Sequence, residues 1–434
     1  MTIEQIIKQT IEEYKLFNSK SRREEVERLL NYYTGTNTEE YVKHYFALDA
    51  FSDLPPYKIN ITRKFIDKMS RVYNLAPKRK LTSNQERYLE LTRNKNIKMN
   101  HVEKMTNLLG TIALQISFEE KDGKNILEHR PVYYFDAHFT EIDPYNPIAI
   151  TYPTLIPTGD IDYSEPMIFE YWDASVHLKY DTDGNILMEE PNPYGVLPFI
   201  FPREMEQIDD FICEGATDIA NINEQVNITL FNTQYGLHLQ MVGQMFATGV
   251  YADQPIQRVG PDTIINLPEG GTFGIATPKG NFRDAIEFIK FQMELAAQSR
   301  HMHVTFDSSA DRPSSGVALK IKDFEHISDY RDDIEKFRVL EHDIYKLERV
   351  IADYNGIALP ETFSIEYEEL DYPLGVQEQI QKEQFELSQG FVTSAELLQK
   401  RKGDITIQEA EDIISKNSEE VVTIEGTESP TRSA

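Results

Sequence analysis

Only a few side chains in this sequence have the types and spacing that bond chemistry or metal binding would need. His301-Met302-His303 carries two imidazoles, and Asp181-Thr182-Asp183-Gly184-Asn185 superficially resembles a calcium-binding loop. Helical residues two positions apart do not face the same way, and a calcium loop needs its glycine at the sixth position rather than the fourth. We therefore predict structural or solvent-facing roles for the histidines and a hairpin turn for the aspartates.

The sequence also lacks the motifs of the common phosphate-binding and acyl-transfer enzymes. It contains no Gly-x-x-x-x-Gly-Lys-Ser/Thr, no Gly-x-Gly-x-x-Gly after a strand and no Gly-x-Ser-x-Gly. Cys213 is the single cysteine, so neither an internal disulfide nor a zinc site built from cysteines can form. We predict no catalytic residues, no cofactor and no metal site.

The composition is that of a folded and strongly acidic protein. The chain has 434 residues, 40% of them hydrophobic, and a formal charge of −28; this length suffices for two or three domains. Its apolar runs are far shorter than the ~20 residues that a membrane span requires. The first residues lack the basic and hydrophobic regions of a signal peptide, so we expect a protein of the reducing cytoplasm without membrane association.

One long part of the chain carries negative charges and no lysine or arginine. It runs from Glu204 to Gln257, whereas soluble helices usually mix the two signs. Its acidic residues are Glu204, Glu206, Asp209, Asp210, Glu214, Asp218, Glu224 and Asp253. Two interpretations remain open. It is either an acidic solvated face or a wall from which cations are absent, because lysine and arginine contacts dominate affinity for phosphate.

The elements that must position these residues follow from the periodicity of apolar side chains. Helices are predicted at residues 3–33 (two helices), 59–69, 98–110, 204–240, 281–302 and 375–417. Residues 112–202 are mostly β, with hairpins that turn at Lys121–Lys124 and at Asp183-Gly184. A glycine-rich module at 241–280 lies between two helices, an order that predicts a two-helix stalk with the module at its tip.

The longest predicted helix begins after Ser314-Ser315 and ends at Tyr354. Serine is a good N-cap residue, and Asn355-Gly356 supplies the C-terminal stop. Roughly 38 residues at 1.5 Å each make a rod of about 57 Å. After it we predict a strand at residues 363–367, helices that begin at Ser394 and Thr406, and a disordered polar tail from Glu419.

Five pieces of the sequence, taken in order, resemble a tailed-bacteriophage portal protein, the ring subunit at the vertex where the genome enters the capsid. They are Tyr32-Tyr33-Thr34-Gly35, Ile59-Asn60 with the helix to Tyr73, Tyr194-Gly195-Val196-Leu197-Pro198-Phe199-Ile200, Ser315-Gly316-Val317-Ala318-Leu319-Lys320 and Gly390-Phe391-Val392-Thr393-Ser394-Ala395-Glu396-Leu397. The similarity runs from Tyr32 to Ser415, and the piece at Ser315–Lys320 is the closest match. Each piece is short, so the resemblance depends on their order and on the stalk and long helix between them.

The resemblance implies a portal-type α+β fold. Its parts would be a wing (1–204, continued by the long helix and strand of 317–372), stem helices (205–240 and 281–302), a clip (241–280), a tunnel loop (303–316), a helical crown (373–418) and a disordered acidic tail (419–434).

It also implies which residues would meet DNA and partners. The tunnel loop would line the channel through Thr305, Asp307, Ser308, Ser309, Asp311, Arg312 and Ser314. The acidic stem would consist of Glu206, Asp210, Glu214, Asp218 and Glu224. The clip would bind partners through Gln254, Arg258, Asp262 and Glu269.

The implied function is that of a virion component that performs no bond chemistry. A dodecameric ring, assembled in the host cytoplasm with major capsid and scaffolding proteins, would conduct double-stranded viral DNA during packaging and ejection. It would dock the terminase large subunit and later a head-completion adaptor protein. Two alternatives remain. One is a non-viral elongated oligomeric scaffold, which fits the long helix but not the β-rich region. The other is a hydrolase, for which the sequence offers no convergent acid, base or metal set.

Overall fold

The fold is described from a computed structural model. It describes residues 2–15, 17–46, 55–56, 58–121, 123–154, 168–206, 210–242, 244–249, 269–276, 280–302, 324–368, 376–402 and 406–425. Half of the protein is helical and a fifth is in strands, so the predicted α+β class is confirmed. The chain forms two compact units. One combines residues 1–306 with 325–369, and the other combines residues 307–324 with 370–434.

Nine helices and twelve strands are described between Ile3 and Glu366. The helices are α1 (Ile3–Lys15), α2 (Phe17–Thr34), α3 (Thr38–Lys43), α4 (Ile61–Met69), α5 (Gln85–Leu91), α6 (Lys95–Leu109), α7 (Thr217–Val242), α8 (Phe282–Gln298) and α9 (Phe324–Tyr354). The strands are β1 (Lys78–Leu81), β2 (Ala113–Lys121), β3 (Lys124–Val132), β4 (Asp136–His138), β5 (Ala149–Pro153), β6 (Ile168–Asp173), β7 (Val176–Asp181), β8 (Ile186–Pro191), β9 (Phe199–Ile200), β10 (Gln244–Thr248), β11 (Thr272–Ala276) and β12 (Phe363–Glu366). Sequence periodicity did not predict α3, α5 or β1.

The strands form four antiparallel sheets among the described residues. The largest has the order β4-β5-β6-β7-β8, a second has the order β3-β2-β9, and β1-β12 and β10-β11 are pairs. Both predicted hairpins are confirmed: β2 faces β3 across Lys121 and Lys124, and β7 faces β8 across the turn at Asp183-Gly184. In the second turn Asp181 Oδ1 accepts from the backbone N–H groups of Asp183 and Asn185, both at 2.9 Å. The carboxylate therefore stabilises the hairpin turn that the sequence predicted.

The central strands of the five-stranded sheet pack against apolar residues on both faces, whereas its edge strand β8 is exposed. Ile6 and Ile7 of α1 pack on the face that carries Ala149 and Phe169. The opposite face, which carries Ile150, packs against the three-stranded sheet in a cluster of Ala113, Val132, Phe135, Ile150, Tyr152, Phe199 and Phe211. Because neighbouring residues of a strand point to opposite faces, the consecutive Ala149 and Ile150 serve two different cores.

The long helix α9 carries two glutamates into the protein interior. Glu341 and Glu348 are fully buried, and Lys95 Nζ lies between them, 3.1 Å from Glu341 Oε2 and 2.8 Å from Glu348 Oε1. Arg79 of β1 also pairs with Glu341, at 2.5 Å, and His129 Nε2 lies 2.6 Å from Glu348 Oε1. Burial alone would raise the pKa of Glu341, but the charges of Lys95 and Arg79 outweigh burial and lower that pKa to about 2.

The same helix ends where the sequence predicted. α9 stops at Tyr354, and Gly356 adopts a left-handed conformation with φ of 75°. Its 31 described residues correspond to about 46 Å. The predicted first turns, residues 317–323, lie outside the described residues.

A third buried glutamate, Glu103 of α6, has a polar environment without a cation in hydrogen-bonding contact. Its Oε1 and Oε2 accept from the backbone N–H groups of Val72 (2.8 Å) and Tyr73 (3.1 Å). Burial raises the pKa of Glu103 to about 7 in spite of these bonds. The folded state therefore holds this proton more tightly than the unfolded chain does. The resulting stabilisation is complete below about pH 4.5 and is lost as the pH rises through about 7.

We predict that Glu103→Gln removes this pH dependence. Between pH 5 and 8 the wild-type protein should lose about 2 kcal/mol of unfolding free energy relative to the variant, because glutamine does not ionise, although its single side-chain oxygen can accept only one of the two backbone bonds. Urea unfolding at both pH values measures the difference. Glu86→Gln on the exposed face of α5 is the control and should follow the wild type. Parallel curves for wild type and Glu103→Gln would contradict the prediction.

The second unit is helical in its described part. Its helices are α10 (Val376–Ser388), α11 (Ser394–Lys402) and α12 (Ile407–Glu425). Helix α11 begins at Ser394, as predicted, and Thr393 is its cap. The helix predicted to begin at Thr406 begins at Ile407, with Thr406 as its cap. Glu396 N donates to Thr393 Oγ1 at 3.2 Å, and Thr393 N donates to Glu396 Oε2 at 2.7 Å.

The prediction of a disordered tail from Glu419 is wrong for its first part. Helix α12 continues to Glu425, while residues 426–434 lie outside the described residues. The sequence from Asp404 to Glu425 contains neither glycine nor proline, so no helix-breaking residue interrupts it. The polar composition of the tail had instead suggested that the helix ends before Glu419.

Candidate functional site

Helices α7 and α8 pack side by side and run in opposite directions. Near the start of α7, Asp218 Oδ1 lies 2.7 Å from Nη2 of Arg300, which follows α8. Near the end of α7, a Cβ atom at Gly236 would lie 3.1 Å from the ring of Phe282 at the start of α8. The two contacts are 18 residues apart along α7 (218 to 236). They are also 18 residues apart along the second segment (282 to 300), in the opposite direction. The predicted pair of antiparallel helices is therefore present.

Two short strands extend the helix pair. β10 follows α7 after one residue, and β11 precedes α8; Gln244 lies opposite Ala276 and Thr248 opposite Thr272. Helices α7 and α8 with strands β10 and β11 are called the stalk from here on. The middle of the predicted clip, residues 250–268, lies outside the described residues, and so do Gln254, Arg258 and Asp262. Glu269 is described and is exposed in a turn.

The first stem helix begins later than predicted, at Thr217 instead of residue 205. The chain before it pairs through its backbone with the end of α6 and the residue that follows it. Glu204 N donates to Gly110 O, and Ala216 N donates to Leu108 O, both at 2.8 Å. These long-range bonds use backbone groups that a helix would need, so the described residues of 203–216 are not helical.

Gly215, which lies inside the predicted first stem helix, instead allows a close contact between two backbone segments. A Cβ atom there would lie 2.4 Å from Leu108 O, closer than any real contact, so only glycine fits. Three residues of the predicted acidic stem, Glu206, Asp210 and Glu214, are exposed but lie before the helix. They do not form a stem face.

The two remaining acidic stem residues are neutralised by arginines from distant parts of the chain. Asp218 pairs with Arg300, which also binds Glu204 Oε1 at 3.0 Å. Glu224 Oε2 lies 3.3 Å from Arg28 Nη1 and accepts from Tyr32 OH at 3.1 Å. The hypothesis of a wall without cations is therefore wrong for these two positions, because arginines from elsewhere in the chain reach them.

The outer part of α7 is uncharged rather than acidic. Between Gln225 and Ala252 the sequence contains no aspartate, glutamate, lysine or arginine. Gln225, Asn232 and Gln240 are exposed on α7, and their spacings of seven and eight place them near one helix face. The sequence had not predicted this neutral polar face, because only the absence of lysine and arginine had been considered and not the absence of aspartate and glutamate.

Three parts of the sequence meet at the base of the stalk. Asn60 caps α4 by accepting from Arg63 N at 2.9 Å, and its Nδ2 donates to Tyr33 O at 2.9 Å. Asn227 of α7 is buried and holds the backbone of Ile59 from both sides, accepting from its N–H at 3.0 Å and donating to its carbonyl at 3.1 Å. The pieces Tyr32–Gly35 and Ile59-Asn60, which carried part of the resemblance, therefore join each other and the first stem helix.

A long apolar surface of the stalk is left uncovered within one chain. The exposed large apolar residues of the stalk are Leu237, Leu239, Met241, Phe246, Phe273, Ile275, Ile286, Phe288, Phe291 and Leu295. Phe288, Phe291 and Leu295 follow a three–four spacing and so form one stripe on α8, and Phe291 is 57% exposed. Contiguous exposed apolar surface of this kind marks an interaction site.

No protein-family model matches this chain, and no curated protein matches it. The function must therefore be argued from the residues themselves. Every predicted tunnel-loop residue from Thr305 to Ser314 lies outside the described residues, so the arrangement of that loop remains a prediction.

A hydrogen bond to α9 holds the described residues just before that loop. His301 adopts a left-handed conformation with φ of 50°, and its Nδ1 lies 2.8 Å from Asp329 Oδ2. Asp329 belongs to α9, so this contact links the segment before residues 303–323 to the helix that follows them. His301 therefore has a structural partner, as predicted, although His303 lies outside the described residues.

Among the described residues, no group of three or more histidine, cysteine, aspartate or glutamate side chains could hold a metal ion. No helix in the described parts of the chain is both long and apolar enough to cross a membrane.

Proposed function

We propose that this chain is the subunit of a portal-type ring that conducts double-stranded DNA through a capsid vertex. The observation that carries the proposal is the stalk, an antiparallel helix pair with apolar residues exposed along α8 and at its strand-bearing end. Within a single chain this surface is unfavourable, because each fully buried Phe or Leu stabilises a protein by about 1.5–3 kcal/mol relative to exposure. Neighbouring copies in a ring would cover it.

The base of the stalk supports the same proposal. Asn227, Asn60 and Glu224 fix the first stem helix to α2 and α4, so the stalk is rigidly joined to the rest of its unit. A subunit that must hold its place in a ring while DNA moves past needs such a joint. The sequence pieces that form it are among those that resemble portal proteins.

The charge of one face of α7 is also compatible with a DNA channel. Lysine and arginine contacts with phosphate dominate affinity for DNA, and each would have to be broken as the duplex advances. The neutral face of Gln225, Asn232 and Gln240 offers no such contact. Under this proposal the terminase large subunit and the head-completion adaptor dock at the clip end, and the energy of packaging comes from the terminase.

Imaging of the purified protein tests the proposal. Negative-stain micrographs should show closed rings of about a dozen subunits with a central hole, as the portal resemblance implies, whereas monomers at high concentration would oppose the proposal. We predict that Phe288→Ser with Phe291→Ser lowers the assembled fraction more than 100-fold, because two aromatic side chains per subunit would no longer be buried at the interface.

A matched variant separates interface loss from a general effect of removing apolar surface. Leu89→Ser with Ile142→Ser removes two exposed apolar side chains outside the stalk and should leave the rings intact. Circular dichroism should show both variants folded. Rings of normal yield from Phe288→Ser with Phe291→Ser would exclude the apolar stalk as the subunit contact.

A further inference from the structure

One part of this acidic chain has the opposite charge. Residues 58–104 contain 13 lysines and arginines and 4 aspartates and glutamates, a net charge of +9 within a chain of −28. Some of these cations are used internally. Lys95 and Arg79 are buried with Glu341 and Glu348, and Lys80 pairs with Glu366. The others lie at least partly on the surface, and some of them also pair with acidic residues, as Lys98 does with Glu128 at 2.7 Å and Lys58 with Glu39 at 2.8 Å.

The densest group of surface cations surrounds a single carboxylate. Lys104 Nζ lies 2.9 Å from Asp67 Oδ1, and Arg63 Nε lies 3.5 Å from Asp67 Oδ2. Burial and the charges of Lys98 and Lys104 lower the pKa of His101, which follows from the positive potential of this region. The basic surface is defined as Arg63, Lys64, Lys68, Arg71 and Lys104. Ile97, on the same face of α6 as His101 and Lys104, adds an apolar side chain that is 75% exposed.

A negatively charged groove lies between residues 201–206 and helix α9. Its volume is about 550 Å³, and six acidic residues line it against two cations. The acidic residues are Glu204, Glu206, Asp329, Asp332, Asp333 and Asp343, and the cations are Arg203 and Lys336. Two of the apolar residues that line it are solvent-exposed, Met205 by 55% and Val339 by 63%. This groove, called the acidic groove from here on, therefore presents both carboxylates and apolar side chains to solvent.

Three of the acidic groove residues pair with cations of the same chain: Glu204 with Arg300, Asp333 with Lys336 and Asp343 with Lys346. Burial raises the pKa of Asp333, and the neighbouring Asp329 and Asp332 raise it further, even though Lys336 Nζ lies 2.7 Å from Asp333 Oδ1. Asp332 and Glu206 are exposed at the rim. On α9, Asp332, Val339 and Asp343 follow each other at spacings of seven and four, so one helix face presents two carboxylates around an apolar residue.

We propose that the acidic groove of one copy of this chain receives the basic surface of the next copy. The two surfaces match in charge, and each has an exposed apolar side chain, Val339 in the groove and Ile97 beside the basic surface. They share no residue, so the contact is of the head-to-tail kind that closes into a ring when its rotation permits. Copies that each carry −28 repel one another, and a pairing of opposite local charges offsets that repulsion.

A DNA partner fits the basic surface less well than a second copy. Asp67 lies at its centre, where it would repel phosphate, and the apolar Ile97 would remain uncovered beside a phosphate backbone. The inference rests on the proposed ring and adds to it the surfaces that decide which copies associate.

Charge reversal tests the pairing in the full-length protein. Arg63→Glu with Lys64→Glu should lower the apparent assembly constant at least 10-fold in low salt, and so should Glu206→Lys with Asp332→Lys. The four changes together should restore assembly to within about threefold of wild type. Sedimentation velocity at several salt concentrations measures the assembled fraction. Salt should weaken wild-type assembly but strengthen that of each two-residue variant, because it screens attraction in one and repulsion in the other.

The control matches the change in net charge. Lys8→Glu with Lys382→Glu also lowers the chain charge by four and should assemble as wild type does. Assembly of the Arg63→Glu, Lys64→Glu variant at the wild-type level would overturn the pairing, and so would failure of the four changes to restore assembly. Loss of DNA binding by that variant with intact rings would instead assign the basic surface to DNA. If wild-type rings never form, it is the proposed function that fails.

Discussion

Replacing Lys95 by methionine is expected to destabilise the larger unit by about 3–5 kcal/mol, a substantial part of the 5–15 kcal/mol that holds a typical domain together. Methionine has nearly the length of lysine, so packing changes little. Two fully buried carboxylates, Glu341 and Glu348, would however lose the ammonium that lies within 3.1 Å of both. Arg79 would remain beside Glu341, whereas Glu348 would keep only Tyr88 and His129.

A surface lysine with its own ion pair is the control for this prediction. Lys346 Nζ lies 2.7 Å from Asp343 Oδ1, but its side chain is 73% exposed. Lys346→Met should therefore cost less than about 1 kcal/mol. Adding Glu348→Gln to Lys95→Met should recover part of the loss, since it removes the less compensated charge. Urea unfolding measures all four proteins, and equal costs for Lys95→Met and Lys346→Met would show that the buried charges are not coupled as described.

The sequence predicted the elements whose signals are local. The hairpin at Asp183-Gly184 depends on a glycine with φ of 86° and on Asp181, two residues before the turn. The end of α9 depends on Gly356, and the start of α12 depends on the Thr406–Glu409 capping pair. Such features need only a few neighbouring residues, so periodicity and turn chemistry suffice to predict them.

Two of the features that the sequence did not predict depend on residues far apart in the chain. The start of α7 was misplaced because the extended path before Thr217 is fixed by backbone bonds to α6, about a hundred residues earlier. The acidic stem was misjudged because Arg28 and Arg300 reach Glu224 and Asp218 from outside that part of the sequence. Counting charges along the chain cannot find such partners, since burial and pairing are decided by the tertiary fold.

The second prediction with a large expected effect concerns the backbone contact between the end of α6 and the segment before α7. Gly110→Ala is expected to cost about 4 kcal/mol or more, because a Cβ atom there would lie 2.4 Å from Cys213 O and 2.7 Å from Glu214 O. Both atoms belong to the backbone, which cannot turn away as a side chain can. Gly215 approaches Leu108 O equally closely from the other side. The two glycines thus let the chain before the stalk lie directly on the end of α6.

Gly123→Ala separates this collision from the strain of an unfavourable backbone angle. Gly110 and Gly123 have nearly the same conformation, with φ of 77° and 70°, but a Cβ atom at Gly123 would meet nothing within 4 Å. Gly123→Ala should therefore cost only about 1 kcal/mol, the strain of a left-handed alanine. Thermal unfolding and the soluble yield of both variants measure the difference. Because the Gly110 contact fixes where α7 begins, a mild effect of Gly110→Ala would mean that the stalk is not anchored through this crossing.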